Sequence, residues 1–247
     1  MSLVSVIIPY YRKINHINET LNSVLNQTYK NFEIILIYDD TDNDDLEIIN
    51  NNFKDNHKIK IIKNSKNHGA GISRNIGLKN SLGEIIAFLD ADDIWLPNRL
   101  ENQINFMKEN NYDFTFCNYK KKISKNSHIK VECKKNKISY QDLIYDCEIG
   151  LSTVILNKKV IKDDLFPSLK TKEDYVAWLK ITKDNINAYN FSESLVIWNY
   201  SKNSLSSSLL QKLLDGFRVY YYYEKFNFLK SFLHLTILSF KSLTRKF

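Results

Sequence analysis

Glycine, proline and cysteine are all scarce, at six, three and three among 247 residues. So little glycine and proline excludes collagen-like and low-complexity chains, and no Gly-, Pro- or Ser-rich linker divides the sequence into independent domains. Cys117, Cys133 and Cys147 form no CxxC pair and have no histidine at zinc-finger spacing. They read as unpaired thiols of a reducing compartment rather than a disulfide or zinc framework. No run of eighteen uncharged apolar residues is present, so no membrane-spanning helix is expected. Met1-Ser2-Leu3 leads directly into a strand pattern without a basic region and long apolar run, so no signal peptide is expected and the cytoplasm is the anticipated location.

What is present is a globular composition, 43% hydrophobic and 26% charged, with fifteen Tyr and fourteen Phe. The formal charge of +7 favours phosphate-bearing partners without choosing among them. Much of the excess lies in Lys120, Lys121, Lys122, Lys125, Lys130, Lys134, Lys135 and Lys137, opposed only by Glu132. That segment reads as a solvated loop or an edge hairpin.

The first hundred residues alternate between two periods. Val4 to Ile8 form an apolar strand stopped by Pro9, then Ile14, Ile17, Leu21, Val24 and Leu25 recur at helical spacing. Strands at Phe32 to Ile37, Lys58 to Ile62 and Glu84 to Leu89 are separated by helices near Asp44 to Phe53 and Ala70 to Asn80. Continuous β-branched strands with helices between them predict an α/β fold with a mostly parallel sheet covered on both faces. Right-handed crossovers place the strand C-terminal ends on one edge, where ligands bind. A helix from about Pro97 to Lys108, strands at Phe114 to Asn118, Thr153 to Leu156 and Ala188 to Phe191, and a helix near Lys172 to Lys183 complete the sheet. From Phe226 onward, Leu229, Phe232, Leu233, Ile237, Phe240, Leu243 and Phe247 share one helical face, with Lys230, His234, Lys241 and Arg245 on another. Such a basic amphipathic helix suits either an anionic membrane interface or packing against protein.

Four clusters follow predicted strands. Asp39-Asp40 can accept hydrogen bonds from a base or ribose, or can make a turn and helix cap. His68-Gly69-Ala70-Gly71-Ile72-Ser73-Arg74 permits close backbone approach at a helix start, and Arg74 can neutralise a phosphate; it is neither a P-loop nor a GxGxxG fingerprint. Asp90-Ala91-Asp92-Asp93 places three carboxylates in four positions, which a divalent cation or hydrogen-bond donors must reconcile. Glu173-Asp174 either complements a helix dipole or projects a general base into a cleft.

In this order the motifs resemble the family 2 glycosyltransferases. The matching text runs from Val4-Ser5-Val6-Ile7-Ile8-Pro9-Tyr10-Tyr11 through Thr20-Leu21-Asn22-Ser23-Val24-Leu25-Asn26-Gln27-Thr28 to Asp39-Asp40. It continues with Gly71, Arg74, Asn75, Gly77, the DxD-type Asp90-Ala91-Asp92-Asp93, and Glu173-Asp174-Tyr175 with Trp178. The resemblance implies a single GT-A, Rossmann-like transferase unit over residues 1–205, with a donor-nucleotide half to about 110, an acceptor half over 111–205, and a helical basic tail over 206–247. It implies that Pro9 and Tyr11 flank the nucleobase, Asp39 or Asp40 holds uracil or ribose, and Arg74 borders the nucleotide. Asp90 would meet ribose or metal, Asp92 would ligate Mn2+ or Mg2+ on the diphosphate, and Asp174 would be the base of an inverting transfer. The partners implied are a nucleotide sugar, UDP-linked by preference, and a surface-glycan or lipid-linked saccharide; the basic C-terminal helix adds an expected peripheral contact with anionic membrane at the cytoplasmic face of an inner membrane, and no nucleic acid is expected.

Two departures from the family pattern stand out. Trp198-Asn199, ahead of Ser204-Leu205-Ser206, occupies the place of an aromatic-Arg pair, leaving Lys202 or the tail to restore the charge. Asp39-Asp40-Thr41-Asp42 replaces Asp-Asp-Gly-Ser. The rival readings are a sugar nucleotidyltransferase, for which Pro9-Tyr10-Tyr11-Arg12-Lys13 lacks the glycine-rich loop, and a non-enzymatic basic module binding membrane or nucleic acid.

Overall fold

The computed structural model describes residues 1–124, 127–199 and 208–244. Lys125, Lys202, Ser204-Leu205-Ser206, Arg245 and Phe247 lie outside the described residues. The first half of the sheet is built from β1 (Val4–Tyr10), β2 (Phe32–Tyr38), β3 (Ile59–Lys63) and β4 (Ile85–Phe88). These pair in the order β3-β2-β1-β4, all parallel, through crossovers carrying α1 (Ile14–Leu25), α2 (Asp44–Phe53) and α3 (Ala70–Lys79). The parallel character expected from the sequence holds for these four strands.

Beyond β4 the sheet is mixed. It is extended by β5 (Ile94–Trp95), β6 (Phe114–Ser124), β7 (Ser127–Val131), β8 (Lys137–Ile138), β9 (Ile155–Asn157) and β10 (Ala188–Asn199). β9 pairs antiparallel with both β4 and β6, β10 runs parallel to β6, and β5 closes the row antiparallel to β10. The Lys-rich stretch is an edge hairpin, β6 turning into β7 with Lys120 opposite Lys130. Such lysine-laden edges discourage pairing with other chains.

Three strands run further than their apolar patterns predict, and each has a physical reason. β1 passes through Pro9 to Tyr10, because its ladder to β4 ends at Ile7–Phe88 and leaves the prolyl nitrogen no partner to lose. β6 continues through Lys120, Lys121 and Lys122, which pair outward with β7. β10 carries register shifts between Phe191 and Ser194 and between Ser194 and Val196, which break the alternation that would have announced the rest of the strand.

Period-two alternation splits the sheet between two cores. Val4, Val6, Ile8, Ala87 and Leu89 face α1 and α4 (Arg99–Glu109). Ile7, Ile86 and Phe88 face α6 (Glu173–Lys183), whose Trp178 has no exposed surface and lies among Phe88, Phe114 and Phe166. The short α5 (Tyr140–Leu143) adds Leu143 to this second core. The tail folds as α7 (Leu209–Arg218), a π-turn at Val219–Tyr223 and α8 (Phe228–Thr244), and contributes Val219, Tyr220 and Leu238 to the same core. No helix among the described residues is long and apolar enough to cross a membrane.

Candidate active site

The C-terminal ends of β1 and β4 and the N-terminus of α6 meet around a cleft of about 680 Å3. Pro9, Tyr11, Arg12 and Lys13 line it from β1, Asp90, Ala91, Asp92 and Asp93 from β4, and Glu173 and Asp174 from α6. Strand ends carry these groups because a parallel sheet gathers its βα loops on one edge. The acidic turn is fixed by its own Asp93 N–H to Asp90 O bond (3.0 Å) and by Thr20 Oγ1 donating to Ala91 O (3.0 Å).

The three carboxylates have different surroundings. Asp90 accepts from Arg74 Nη2 at 2.7 Å, and Asp92 from Lys13 Nζ at 2.7 Å. Asp93 is buried and accepts from Ser152 Oγ (2.6 Å) and the Asn199 N–H (3.1 Å). Burial, with repulsion from Asp90 and Asp92, pushes Asp93 well above the usual carboxylate range. Burial also raises Asp90, opposed by Arg74 and reinforced by Asp92 and Asp174.

Arg74 clamps the two halves of the cleft. Its guanidinium, 3% exposed, is shared between Asp90 and Glu173 Oε1, the latter at 2.8 Å. The expected phosphate neutralisation therefore does not come from a free guanidinium: Arg74 borders the cleft with its charge divided between two carboxylates. Gly71, one helical turn earlier, makes the approach possible, since a Cβ there would sit 2.4 Å from Pro167 O. Glu173 is pushed up to about 7 by burial, with Arg74 opposing and Asp174 reinforcing the shift.

Asp174, the expected base, opens into the cleft beside Lys170 and Lys172. Those lysines carry no carboxylate partner among the described residues, and the sequence pattern alone assigned neither them nor Lys13 a role at the site. Their signal was present in Lys170-Thr171-Lys172 immediately ahead of Glu173-Asp174. Lys172 holds a left-handed backbone (φ 67°), as does Arg12 (φ 50°) on the opposite wall. Such a conformation costs a β-carbon-bearing residue about 1–2 kcal/mol and is kept where surrounding structure enforces it. Here the enforcing group is Asp215 of α7, which accepts from Thr171 N–H and Oγ1, both at 3.0 Å, and is fully buried.

Asp39 and Asp40 do not line the cleft. Asp39 lies under the glycine turn, accepting from Asn64 Nδ2 (2.7 Å) and from the N–H groups of His68 (2.9 Å) and Gly69 (2.8 Å). It shapes the turn where Gly69 adopts φ 83°; His68 enters this network through its backbone. Asp40 accepts from Arg12 Nε (3.0 Å) and Thr41 N–H (2.8 Å). Burial pulls Asp40 upward, but these hydrogen bonds outweigh it and hold the carboxyl below its ordinary value. Asn199, in place of the family's arginine, bonds its amide to Asp92 O and its N–H to Asp93, so it ties down the acidic turn instead of adding charge. Trp198 lines the cleft beside it.

The donor set suits a hard divalent cation. Asp90 and Asp92 each engage one carboxylate oxygen with a protein cation and have a second oxygen with no protein donor among the described residues. Oxygen ligands of this kind, completed by phosphate and water, are what Mg2+ or Mn2+ takes. Among the described residues no three His, Cys, Asp or Glu side chains are grouped as a self-sufficient metal cage. Any ion held here therefore needs oxygens from its ligand.

Comparison with known proteins places this geometry. A glucosyltransferase of Escherichia coli, WfgD, described as UDP-Glc:alpha-D-GlcNAc-diphosphoundecaprenol beta-1,3-glucosyltransferase, is 39% identical over 213 residues, covering 85% of this chain and 82% of that one. TuaG of Bacillus subtilis, a putative teichuronic acid biosynthesis glycosyltransferase, is 30% identical over 230 residues, covering 93% and 91%. Among solved structures, residues 1–349 of Staphylococcus aureus TarS with UDP-GlcNAc superpose with a TM-score of 0.73 at 26% identity, over 89% of this chain. This chain spans 64% of that fragment's length. The GT-A architecture is shared as well with the mannosyltransferase PcManGT of Pyrobaculum calidifontis, at a TM-score of 0.68 and 14% identity. The profile of Glycosyl transferase family 2 matches residues 5–157, and the chain, a GT-A glycosyltransferase, belongs to that family.

Proposed function

We propose that this enzyme transfers one sugar, with inversion, from a UDP-sugar to a hydroxyl of a lipid-linked saccharide. The observation that carries the reading is the single cleft in which the β4 carboxylates and Asp174 face a common space. The UDP-GlcNAc complex of TarS and the diphosphoundecaprenol-linked acceptor in the description of WfgD support a UDP donor and a glycolipid acceptor.

The nucleoside lies against Pro9 and Tyr11, with the diphosphate toward the Asp90–Asp93 turn. Asp174 takes the proton from the acceptor hydroxyl as its oxygen attacks the anomeric carbon. The bond to the diphosphate oxygen breaks, and negative charge grows on the leaving nucleoside diphosphate. Lys170, Lys172 and Lys13 answer that charge, and the first two restore what Asn199 does not supply. A divalent ion held by the second oxygens of Asp90 and Asp92 would neutralise the diphosphate as a Lewis acid. In this reading one base acts on the acceptor and the displacement is direct, with no sugar–enzyme intermediate, which gives inversion.

The test is a panel of UDP- and GDP-sugars with a short-chain lipid-diphosphate saccharide as acceptor. Asp174→Asn is expected to lower kcat by about a hundredfold or more while donor affinity stays unchanged. Near-normal turnover by that variant removes Asp174 from the role. Release of pyrophosphate in place of nucleoside diphosphate would establish the nucleotidyltransferase alternative.

A further inference from the structure

The tail packs through a narrow, mixed face and leaves its larger apolar face outward. In α8, Ser231, His234 and Leu238 are buried, and the His234 ring lies 5.0 Å from Tyr145 and 4.9 Å from Phe226. The sequence pattern groups His234 with the cations, away from the apolar face. Meanwhile Phe228, Leu229, Phe232, Leu233, Phe240 and Leu243 remain between 56% and 79% exposed. At about 100° per residue these six share one face, interrupted by no charge.

α7 repeats the arrangement. Asp215 and Gly216 are buried on one side, while Leu209, Leu210 and Leu214 stand exposed. Phe217 joins the two helices into one surface, with its ring 5.5 Å from Phe228 and 5.5 Å from Tyr221. An apolar surface of this extent is unusual on a protein that meets only water.

The rim of this surface is cationic. Between Gly216 and Thr244 the only acid is Glu224, which is 8% exposed and bound to Lys183. Arg218, Lys225, Lys230 and Lys241 are exposed around the apolar strip. Two copies meeting through this face would oppose like-charged rims. Anionic lipid complements them, and aromatic side chains with flanking lysines suit the headgroup boundary.

We propose that α7 and α8 dock in the plane of an anionic bilayer, with the apolar strip in the acyl boundary and the lysines among the headgroups. The inference rests on the exposed surface and not on the transferase reading, but it deepens that reading. Asp215, on the buried side of α7, holds the Thr171 loop ahead of Asp174, so docking fixes the acceptor side of the cleft close to the lipid surface.

The test is sedimentation of the full chain with phosphatidylcholine vesicles, with and without about one-third phosphatidylglycerol. Binding is expected to be at least about tenfold tighter to the anionic vesicles and to weaken as salt is raised. The double substitution Phe232→Asp/Phe240→Asp is expected to reduce it by more than about tenfold, and Lys230→Glu/Lys241→Glu by roughly tenfold. Both pairs are exposed and distant in sequence from the cleft residues, so UDP-sugar binding in solution should be unchanged, which separates failure of docking from failure of the enzymatic reading. Absence of sedimentation with either vesicle, or equal sedimentation with both, overturns the proposal. So does a dimer in solution that Phe232→Asp/Phe240→Asp converts to monomer.

Discussion

Arg74 concentrates the electrostatics of the cleft in one side chain. It is buried, its two carboxylate partners come from the end of β4 and from α6, and among the described residues neither partner has a second cation that could replace it. Removing the buried guanidinium leaves Glu173 uncompensated, since Asp90 is 38% exposed and can turn to water, and breaking such a buried pair costs up to about 3–5 kcal/mol. Arg74→Ala should therefore lower unfolding free energy by that amount in urea titrations, and transfer should be lost with it. Glu173 allows a second reading of the same clamp. Its folded pKa, about 7, exceeds the ordinary 4.5, so the folded state binds the proton more tightly than the unfolded chain. The stability this group contributes is therefore fully present below about pH 4.5 and is lost as pH rises through about 7. Glu173→Gln should flatten that part of the stability–pH curve, as measured by thermal unfolding across the window. An unchanged slope would show that burial does not govern this carboxyl.

At the scale of elements, α7 works as a strap on the loop that presents Lys170, Lys172 and Asp174. Asp215 receives Gln211, Arg218 and both donors of Thr171, so one buried carboxylate joins the tail to the acceptor wall. Asp215→Ala should cost about 1–3 kcal/mol of stability by leaving those donors unpaired. It should also lower kcat about ten- to a hundredfold by misplacing Asp174, with donor affinity little changed if β1 and β4 carry the nucleotide as proposed. Kinetics alongside calorimetric donor titration would separate the two effects, and a donor affinity falling in step with kcat would refute the division. Asp215 was invisible in the sequence because its partner lies 44 positions away and nothing in Leu213-Leu214-Asp215-Gly216 marks the aspartate as buried. By contrast β1, β2 and β4 were legible, since Val4–Ile8, Phe32–Ile37 and Ile85–Phe88 are almost wholly apolar and buried, and the two polar residues among them, Ser5 and Glu33, pair with each other across β1 and β2. The Asp90 turn and Asp174 stood out in the sequence as clustered carboxylates after a strand and at a helix start, and the fold brings both to one cleft. Asp39 was legible as important but not in its role. Its neighbours Asn64, His68 and Gly69 come from a different βα loop, and only the folded chain brings them under it.

The whole molecule is two cores sharing one sheet, and the cleft lies where they meet: β1 and β4 supply one wall, α6 the other. A ligand that fills the cleft bonds to both walls and so stabilises the fold as a unit, by about 2.7 kcal/mol at a hundredfold excess over Kd. For a chain of this size that corresponds to a rise in Tm of roughly 5–10 °C. The acidic turn makes the shift conditional. Asp90 and Asp92 repel a diphosphate unless a cation stands between them, and Lys13 and Arg74 are already committed to one oxygen of each. Thermal unfolding should accordingly show a small shift with UDP alone, a small shift with manganese alone, and a combined shift larger than their sum. Chelation by EDTA should remove the excess. Asp92→Ala should abolish the excess while preserving the shift from UDP alone, because the base contacts proposed for Pro9 and Tyr11 are left in place. Equal stabilisation by UDP with and without EDTA would mean that Lys170, Lys172 and Lys13 suffice for the diphosphate, and that the acidic turn serves the sugar or ribose instead of a metal.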